Sequence, residues 1–331
     1  MTPPKILTIM ASLLMCCWSC ASLTKSQLTE VNAFGQLTQN FSAYPSKFIL
    51  SFNTINEKEA LFRANSRLEA TIHFDEIDSA YARKKANDKF SDKANLTFKI
   101  IDKYAQGLVS LTADKHTKQM DTAVQGFGSN LDRLIGKYNA IDPKDQLPAG
   151  IGGAVTELIR LGGEQYIRSR QAIEVKLFVT RADPMIAKLT SNVLQILGDS
   201  TKNKNGKVSN FSDMITQLRS DLQTDYTAFL GKRVITISMK KNMQKLDSTS
   251  FINYHYATLD DDRECLQLLS DLNALQELLD NIKTATDNLA RAHHKLLTDI
   301  DTKKSLLEVA SELQAYGDNI NDLKTAIEKI K

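Results

Sequence analysis

The chain has 331 residues, a formal net charge of +3, and 42% hydrophobic against 24% charged residues. That hydrophobic share excludes an intrinsically disordered chain, and the near-balanced charge excludes bulk electrostatic attraction to nucleic acid. Three of the four cysteines (Cys16, Cys17, Cys20) lie near the N-terminus and only Cys265 lies in the body, so the body forms no disulfide unless Cys265 reaches Cys20, and packing must supply its stability.

The N-terminus reads as an export signal. Lys5 precedes an apolar run from Ile6 to Met15, and small residues follow. The run Ile6–Trp18 is short of the about 20 residues that a bilayer span needs, which disfavours a retained anchor helix. Ser19-Cys20 resembles the end of a lipobox in the family of bacterial lipoproteins, although Cys17 and Trp18 depart from its usual aliphatic and small residues. The resemblance implies lipidation of Cys20, attachment to a membrane through lipid, and a place in the outer membrane or periplasm of a bacterium. Plain cleavage after Ala21, with Ser19 at the minus-three position, stays open as the other route.

The expected domain plan is a signal peptide over 1–19, a segment 20–78 of undecided structure, and an elongated helical bundle over 79–331. In the middle segment Val31, Phe34, Leu37 and Phe41 suggest a short helix, while Lys47–Ile55 fits strand or helix. Leu96, Ile100, Tyr104, Leu108 and Leu111 then lead into a seam at Met120, Val124, Phe127, Leu131, Leu134, Tyr138 and Ile141, which predicts one helix over Ser79–Asn139. Asp142-Pro143 and Leu147-Pro148 end it, because proline lacks the amide donor. A further element carries Val155, Ile159, Gly162, Tyr166, Ile173 and Leu177. Asp183-Pro184 either kinks it or caps a following helix with Ile186, Leu189, Val193 and Ile196. Asp199–Asn210 reads as a solvated turn before a helix with Ile215, Leu218, Leu222, Tyr226 and Phe229.

The last part gives the strongest pattern. Cys265, Leu268, Leu272, Leu275, Leu279 and Ile282 alternate three and four apart, resuming at Leu289 and Leu296. A second seam holds Leu306, Val309, Leu313, Tyr316, Ile320, Leu323, Ile327 and Ile330, and Thr298–Lys304 is the one break between them. Asp261 with Glu264 is expected to cap the first. The fold expected is all-α: an antiparallel, elongated bundle of about four long helices with coiled-coil seams.

Charge divides along the chain. Arg160–Lys245 holds 15 basic and 7 acidic residues, a net of +8, and Thr258–Lys331 holds 9 basic and 15 acidic, a net of −6. Neighbouring helices of opposite sign would neutralise one another. The other reading leaves Lys232, Arg233, Lys240, Lys241 and Lys245 as a basic stripe for an anionic lipid or acidic partner.

The glycines Gly150, Gly152, Gly153, Gly162 and Gly163 lack both the spacing of a dinucleotide loop and a preceding strand. Small residues let helices approach closely. The alternative is a membrane-entering hairpin tip, because extended helices with one apolar glycine-rich segment loosely resemble the long-helix pore-forming toxins, although Glu157 and Arg160 interrupt the run. His293 and His294 are adjacent and diverge by about 100° on a helix, so they cannot share one metal in regular geometry. His73 with Asp75 and Glu76 reads as an exposed polar cluster, Asp260–Asp262 as a helix start, and Cys265 as a buried small hydrophobe. No catalytic residue, metal site or cofactor is assigned. The expected function is a cell-envelope helical interaction or scaffold protein with a protein partner in the envelope and no nucleic acid, the alternative being a secreted membrane-active protein.

Overall fold

The structure, a computed structural model, describes residues 23–66, 70–113, 118–144, 146–153, 168–198, 210–243, 259–300 and 307–330. Among them it is all-α, with no strand. Eight helices are described: α1 (Lys25–Ser42), α2 (Tyr44–Ser66), α3 (Ala70–Thr112), α4 (Lys118–Ile141), α5 (Arg168–Leu197), α6 (Phe211–Met243), α7 (Leu259–Asp299) and α8 (Leu307–Glu328).

The heptad seams mark buried faces. Cys265, Leu268, Leu272, Leu275, Leu279, Ile282, Leu289 and Leu296 are all buried on α7, as are Leu313, Tyr316, Ile320 and Leu323 on α8. The break expected at Thr298–Lys304 falls where α7 ends and before α8 begins. The undecided stretch Lys47–Ile55 is helical, with Phe48, Phe52 and Ile55 buried three to four residues apart.

Other expectations need correction. Ser79–Asn139 is two helices and not one. α3 ends at Thr112, whose hydroxyl donates to the Leu108 carbonyl at 2.8 Å and accepts from Asn32 at 2.8 Å, satisfying groups at the helix end that the apolar spacing does not register. Asp261 lies within α7, which is described from Leu259, and so does not cap it. α5 runs through Pro184, which rules out a cap at Asp183-Pro184. The buried face of α5 carries Ala172, Val175, Phe178, Val179 and Ala182, while Ile173 is exposed and Leu177 half-buried. On α4 Ile135 is buried in preference to Leu134, and Ile141 is exposed.

The chain divides into two compact units. The first comprises Met1–Ala43, Leu96–Asn192 and Ala285–Ile320. Thr24 opens α1 with a capping box: its hydroxyl accepts from the Gln27 amide at 3.2 Å, and the Gln27 side chain accepts from the Thr24 amide at 2.9 Å. The buried face of α1 then meets α3 and α8 through aromatic edges, with Phe41 at 5.9 Å from Phe98 and 6.0 Å from Tyr316. After α4, Asn139 holds the proline turn back against its own helix, accepting from the Leu147 amide at 2.7 Å and donating to the Leu147 carbonyl at 3.0 Å.

The second unit comprises Tyr44–Asn95, Val193–Thr284 and Asn321–Lys331. Phe211, the first residue of α6, sits edge-on to Phe48 at 4.9 Å and Phe52 at 5.0 Å from α2. Asn210 caps α6, accepting from the Asp213 amide at 2.8 Å. Gly198 closes α5 at φ +99, a left-handed conformation that favours glycine, with its amide on the Leu194 carbonyl at 3.0 Å.

Glycines separate crowded from open positions in the first unit. A Cβ at Gly107 would stand 2.6 Å from Phe127 and 2.9 Å from Phe178, whereas one at Gly136 meets nothing within 4 Å. Gly107→Ala should therefore cost about 1–3 kcal/mol through overpacking. Gly136→Ala should stabilise by about 0.5–1 kcal/mol through helix propensity. Denaturant unfolding of both variants checks the pair, and equal effects would contradict the packing described.

Candidate functional site

The most concentrated polar chemistry in the first unit lies in its core. His293 falls on the buried face of α7 at 1% exposure, four residues after Leu289 and three before Leu296, and so occupies a seam position itself. An imidazole in such surroundings is costly unless its nitrogens are bonded. Tyr104 on α3 lies 2.8 Å from Nε2, and Asp183 on α5 lies 3.2 Å from Nδ1. With Asp183 as a carboxylate the network assigns the ring proton to Nδ1, which donates to Asp183, while Nε2 accepts the Tyr104 hydroxyl proton. The bond from His293 holds the Asp183 carboxyl below the usual range, and burial pushes the Tyr104 phenol well above its own. Tyr104 is thereby kept as a protonated donor and not as a phenolate nucleophile. Phe34 and Phe178 close over the group, with ring centres 6.0 Å from His293 and 5.1 Å from Tyr104 respectively.

A second cluster lies in the other unit. Arg63 on α2 donates to Glu59 at 2.7 Å, and its Nε lies 3.5 Å from Asp225 on α6 and 3.8 Å from Glu76 on α3. Glu59 is 1% exposed, and burial outweighs the attraction of Arg63, so that its carboxyl is pushed up to about 6. Two acids of the first unit shift the same way: Glu174 to about 7 through burial, and Glu30 to about 7 through burial and the charge of Asp299.

The residues singled out in sequence fall elsewhere. Gly150 has φ +78, again the left-handed region. Gly152 and Gly153 sit in a helical turn opening at Ile151, and their amides donate to the two carboxylate oxygens of Asp132 on α4 at 2.9 and 2.8 Å. A Cβ at Gly152 would stand 2.1 Å from the Gly128 carbonyl oxygen, so this is a backbone-to-backbone approach, and the anion-binding amides already hold an anion from within the chain. Gly162 and Gly163 lie outside the described residues, as do Cys20 and Lys245. Lys232, Arg233, Lys240 and Lys241 belong to α6, but their side chains lie outside the described ones. Cys265 is buried and free, and burial with the nearby charge of Asp262 raises its thiol. Asp262 accepts from the Tyr226 hydroxyl at 2.6 Å, and Asp260 pairs with Arg263 at 3.2 Å, while His294 is exposed. Among the described residues, no three His, Cys, Asp or Glu side chains are grouped to hold a metal, and no helix is long and apolar enough to cross a membrane.

Sequence reasoning passed over the His293 group. Its signal was present: extending the three-and-four alternation from Ile282 puts Thr286 and His293 at seam positions, and both are buried. Arg63 and Glu59 are four residues apart on α2, but pairing with Asp225 needs a contact across 162 positions that spacing does not reveal.

The raised glutamates fix the sign of the pH response. A carboxyl with its folded pKa above the unfolded value contributes stability that is complete below about 4.3 and lost as pH rises through 6 to 7. Asp183 acts oppositely, since its lowered carboxyl contributes above about 3.9 and loses that contribution as pH falls. The melting temperature should thus fall between pH 5 and pH 8, with Glu59 accounting for about 1 kcal/mol of the loss over that range. Glu59→Gln should lessen that fall by its own share, leaving what Glu30 and Glu174 contribute, and a melting temperature rising over the same range would contradict the assignment.

Gly152→Ala should destabilise by about 2–3 kcal/mol, because two backbones would have to separate. Gly153→Ala, whose Cβ would lie 3.4 Å from Asp132, should cost less than about 1 kcal/mol. Thermal or denaturant unfolding of the two variants separates the positions, and a neutral Gly152→Ala would contradict the close approach.

No family model matches this chain, and no curated protein or solved structure matches it, so its functional reading rests on its own residues.

Proposed function

We propose that the protein is a helical interaction or scaffold protein of a bacterial cell envelope, anchored by lipid at Cys20 and working by binding and spacing rather than by catalysis. The observation that carries the choice over a membrane-active toxin is the contact of Gly152 with Gly128. The described part of the glycine-rich segment is seated on α4, with its amides on Asp132. A membrane-entering tip would have to break those bonds and leave the Asp132 carboxylate without them. Ser19-Cys20 supports the anchor and the envelope address. The partners on this reading are the membrane, through the lipid, and an envelope protein; no cofactor takes part.

The finer architecture belongs to the same proposal. Helices of 43 and 41 residues run about 60 Å each, which supports an elongated antiparallel bundle built on four long elements: α3 with α4, α5, α6, and α7 with α8. Small-angle scattering should give a longest dimension of about 70–100 Å, against about 40 Å for a sphere of this mass. A compact profile would remove the elongated form.

Processing is tested in the cell. Cys20→Ala should abolish palmitate labelling and shift the protein from the membrane to the soluble periplasmic fraction. An unlabelled wild type would remove the lipoprotein reading. Trp18 is the one tryptophan, so the processed chain should show tyrosine emission alone. Release of dye from anionic vesicles by the wild type would favour the toxin reading instead.

A further inference from the structure

The first half of α3 carries an outward seam. Phe74, Asp78, Tyr81, Lys85 and Asp88 follow at spacings of four, three, four and three, and all are exposed, Phe74 at 69% and Tyr81 at 65%. Between them Glu76, Ile77, Ala80 and Arg83 are half-buried, so the seam is the helix face turned away from its own unit. On α2, Leu61 is 47% exposed one turn beyond Glu57. Glu57 accepts from Lys84 at 2.9 Å, which sets the exposed faces of α2 and α3 side by side. Among the described residues, Asp75, Asp78, Tyr81 and Lys85 make no hydrogen bond or ion pair.

The charges on this stretch say what would cover it. Asp75, Glu76 and Asp78 come first, and Arg83, Lys84 and Lys85 follow. An equal helix laid parallel in register would set acid against acid and base against base. Laid antiparallel, the acidic end of each meets the basic end of the other, and every contact occurs twice about a twofold axis. The exposed charges are Asp75, Asp78 and Asp88 against Lys84 and Lys85, which leaves no excess of base to attract an anionic lipid surface.

We propose that this face binds a second copy of the chain, antiparallel along α3, with the twofold axis passing between Ser79 and Ala80. In that register Phe74 packs on the stem and ammonium of Lys85 of the second copy, Asp78 accepts from its Tyr81 hydroxyl, and Asp75 flanks the same Lys85. Two short stripes fall short of the about 1,200 Å² of stable complexes, so the association expected is of the weak, transient class. The proposal stands on α2 and α3 and does not depend on the envelope reading.

Analytical ultracentrifugation of the full chain from about 1 to about 300 μM tests it. The expected result is a concentration-dependent monomer–dimer equilibrium, weakened at high salt. Phe74→Glu should weaken it at least about tenfold, and Leu266→Glu, at an equally exposed leucine of α7, should leave it unchanged. Circular dichroism checks that both variants fold. In a mixture of isotopically heavy and light chains, carbodiimide should join Asp75 of one chain to Lys85 of the other. A monomer over the whole range overturns the proposal, as does a dimer indifferent to Phe74→Glu or cross-linked elsewhere. Phe74-dependent binding to zwitterionic vesicles without self-association also overturns it, by giving the face to lipid.

Discussion

The hydrogen-bonded group of His293, Tyr104 and Asp183 is the constraint on which the first unit depends. Leucine seams alone are degenerate, since a helix shifted by one heptad still presents apolar residues to its neighbours. A buried imidazole removes that freedom. Sliding α7 by one turn, about 5.4 Å, would leave both ring nitrogens without their partners in an apolar core, at a cost of several kcal/mol. The register of α3, α5 and α7 is thereby set at one point. Aromatic contacts carry it outward: Phe34 lies against His293 and 6.4 Å from Tyr316, linking α1 and α8, while Phe127 lies 6.4 Å from Phe178, linking α4.

The second unit solves the same problem with charge. Arg63 gathers Glu59, Asp225 and Glu76, an excess of acid around one guanidinium. Buried ion pairs recover their desolvation only with good geometry, and here the balance is improved by Glu59 holding its proton over much of the acidic range. Both polar groups tie helices together and are turned inward. The chemistry left for a partner is therefore that of the surface: the Phe74–Tyr81 stripe with its ordered charges, and the lipid proposed at Cys20.

Much of the helical layout was legible in sequence because apolar periodicity reports burial directly, as the seams of α7 and α8 show. It failed where spacing alone does not choose the buried face or name a partner. On α5 large apolar side chains stand on both sides, and the buried one carries Val175, Phe178 and Val179 between Ala172 and Ala182, so the spacing of Ile173 and Leu177 points to the wrong side. At the end of α3 the Thr112 hydroxyl accepts from Asn32, a residue 80 positions away that the apolar spacing does not name. For the glycine segment a close helix approach was one of two readings left open, and nothing in the spacing names Gly128 or Asp132, which Gly152 and Gly153 meet. His293 was legible in principle, because a polar residue at a seam position either breaks a bundle or anchors it, and only its partners distinguish the two.

If one network joins α3, α5 and α7 through His293, the substitutions Tyr104→Phe and Asp183→Asn cannot be independent. Each removes one support of the same ring, and once one is lost the other holds a ring already free to move. A double-mutant cycle on unfolding free energy measures this directly. The account predicts that the double variant costs less than the sum of the single variants by about 1 kcal/mol or more. Costs that add within about 0.5 kcal/mol would contradict it, because Tyr104 and Asp183 would then be separate contacts and not two ends of one constraint.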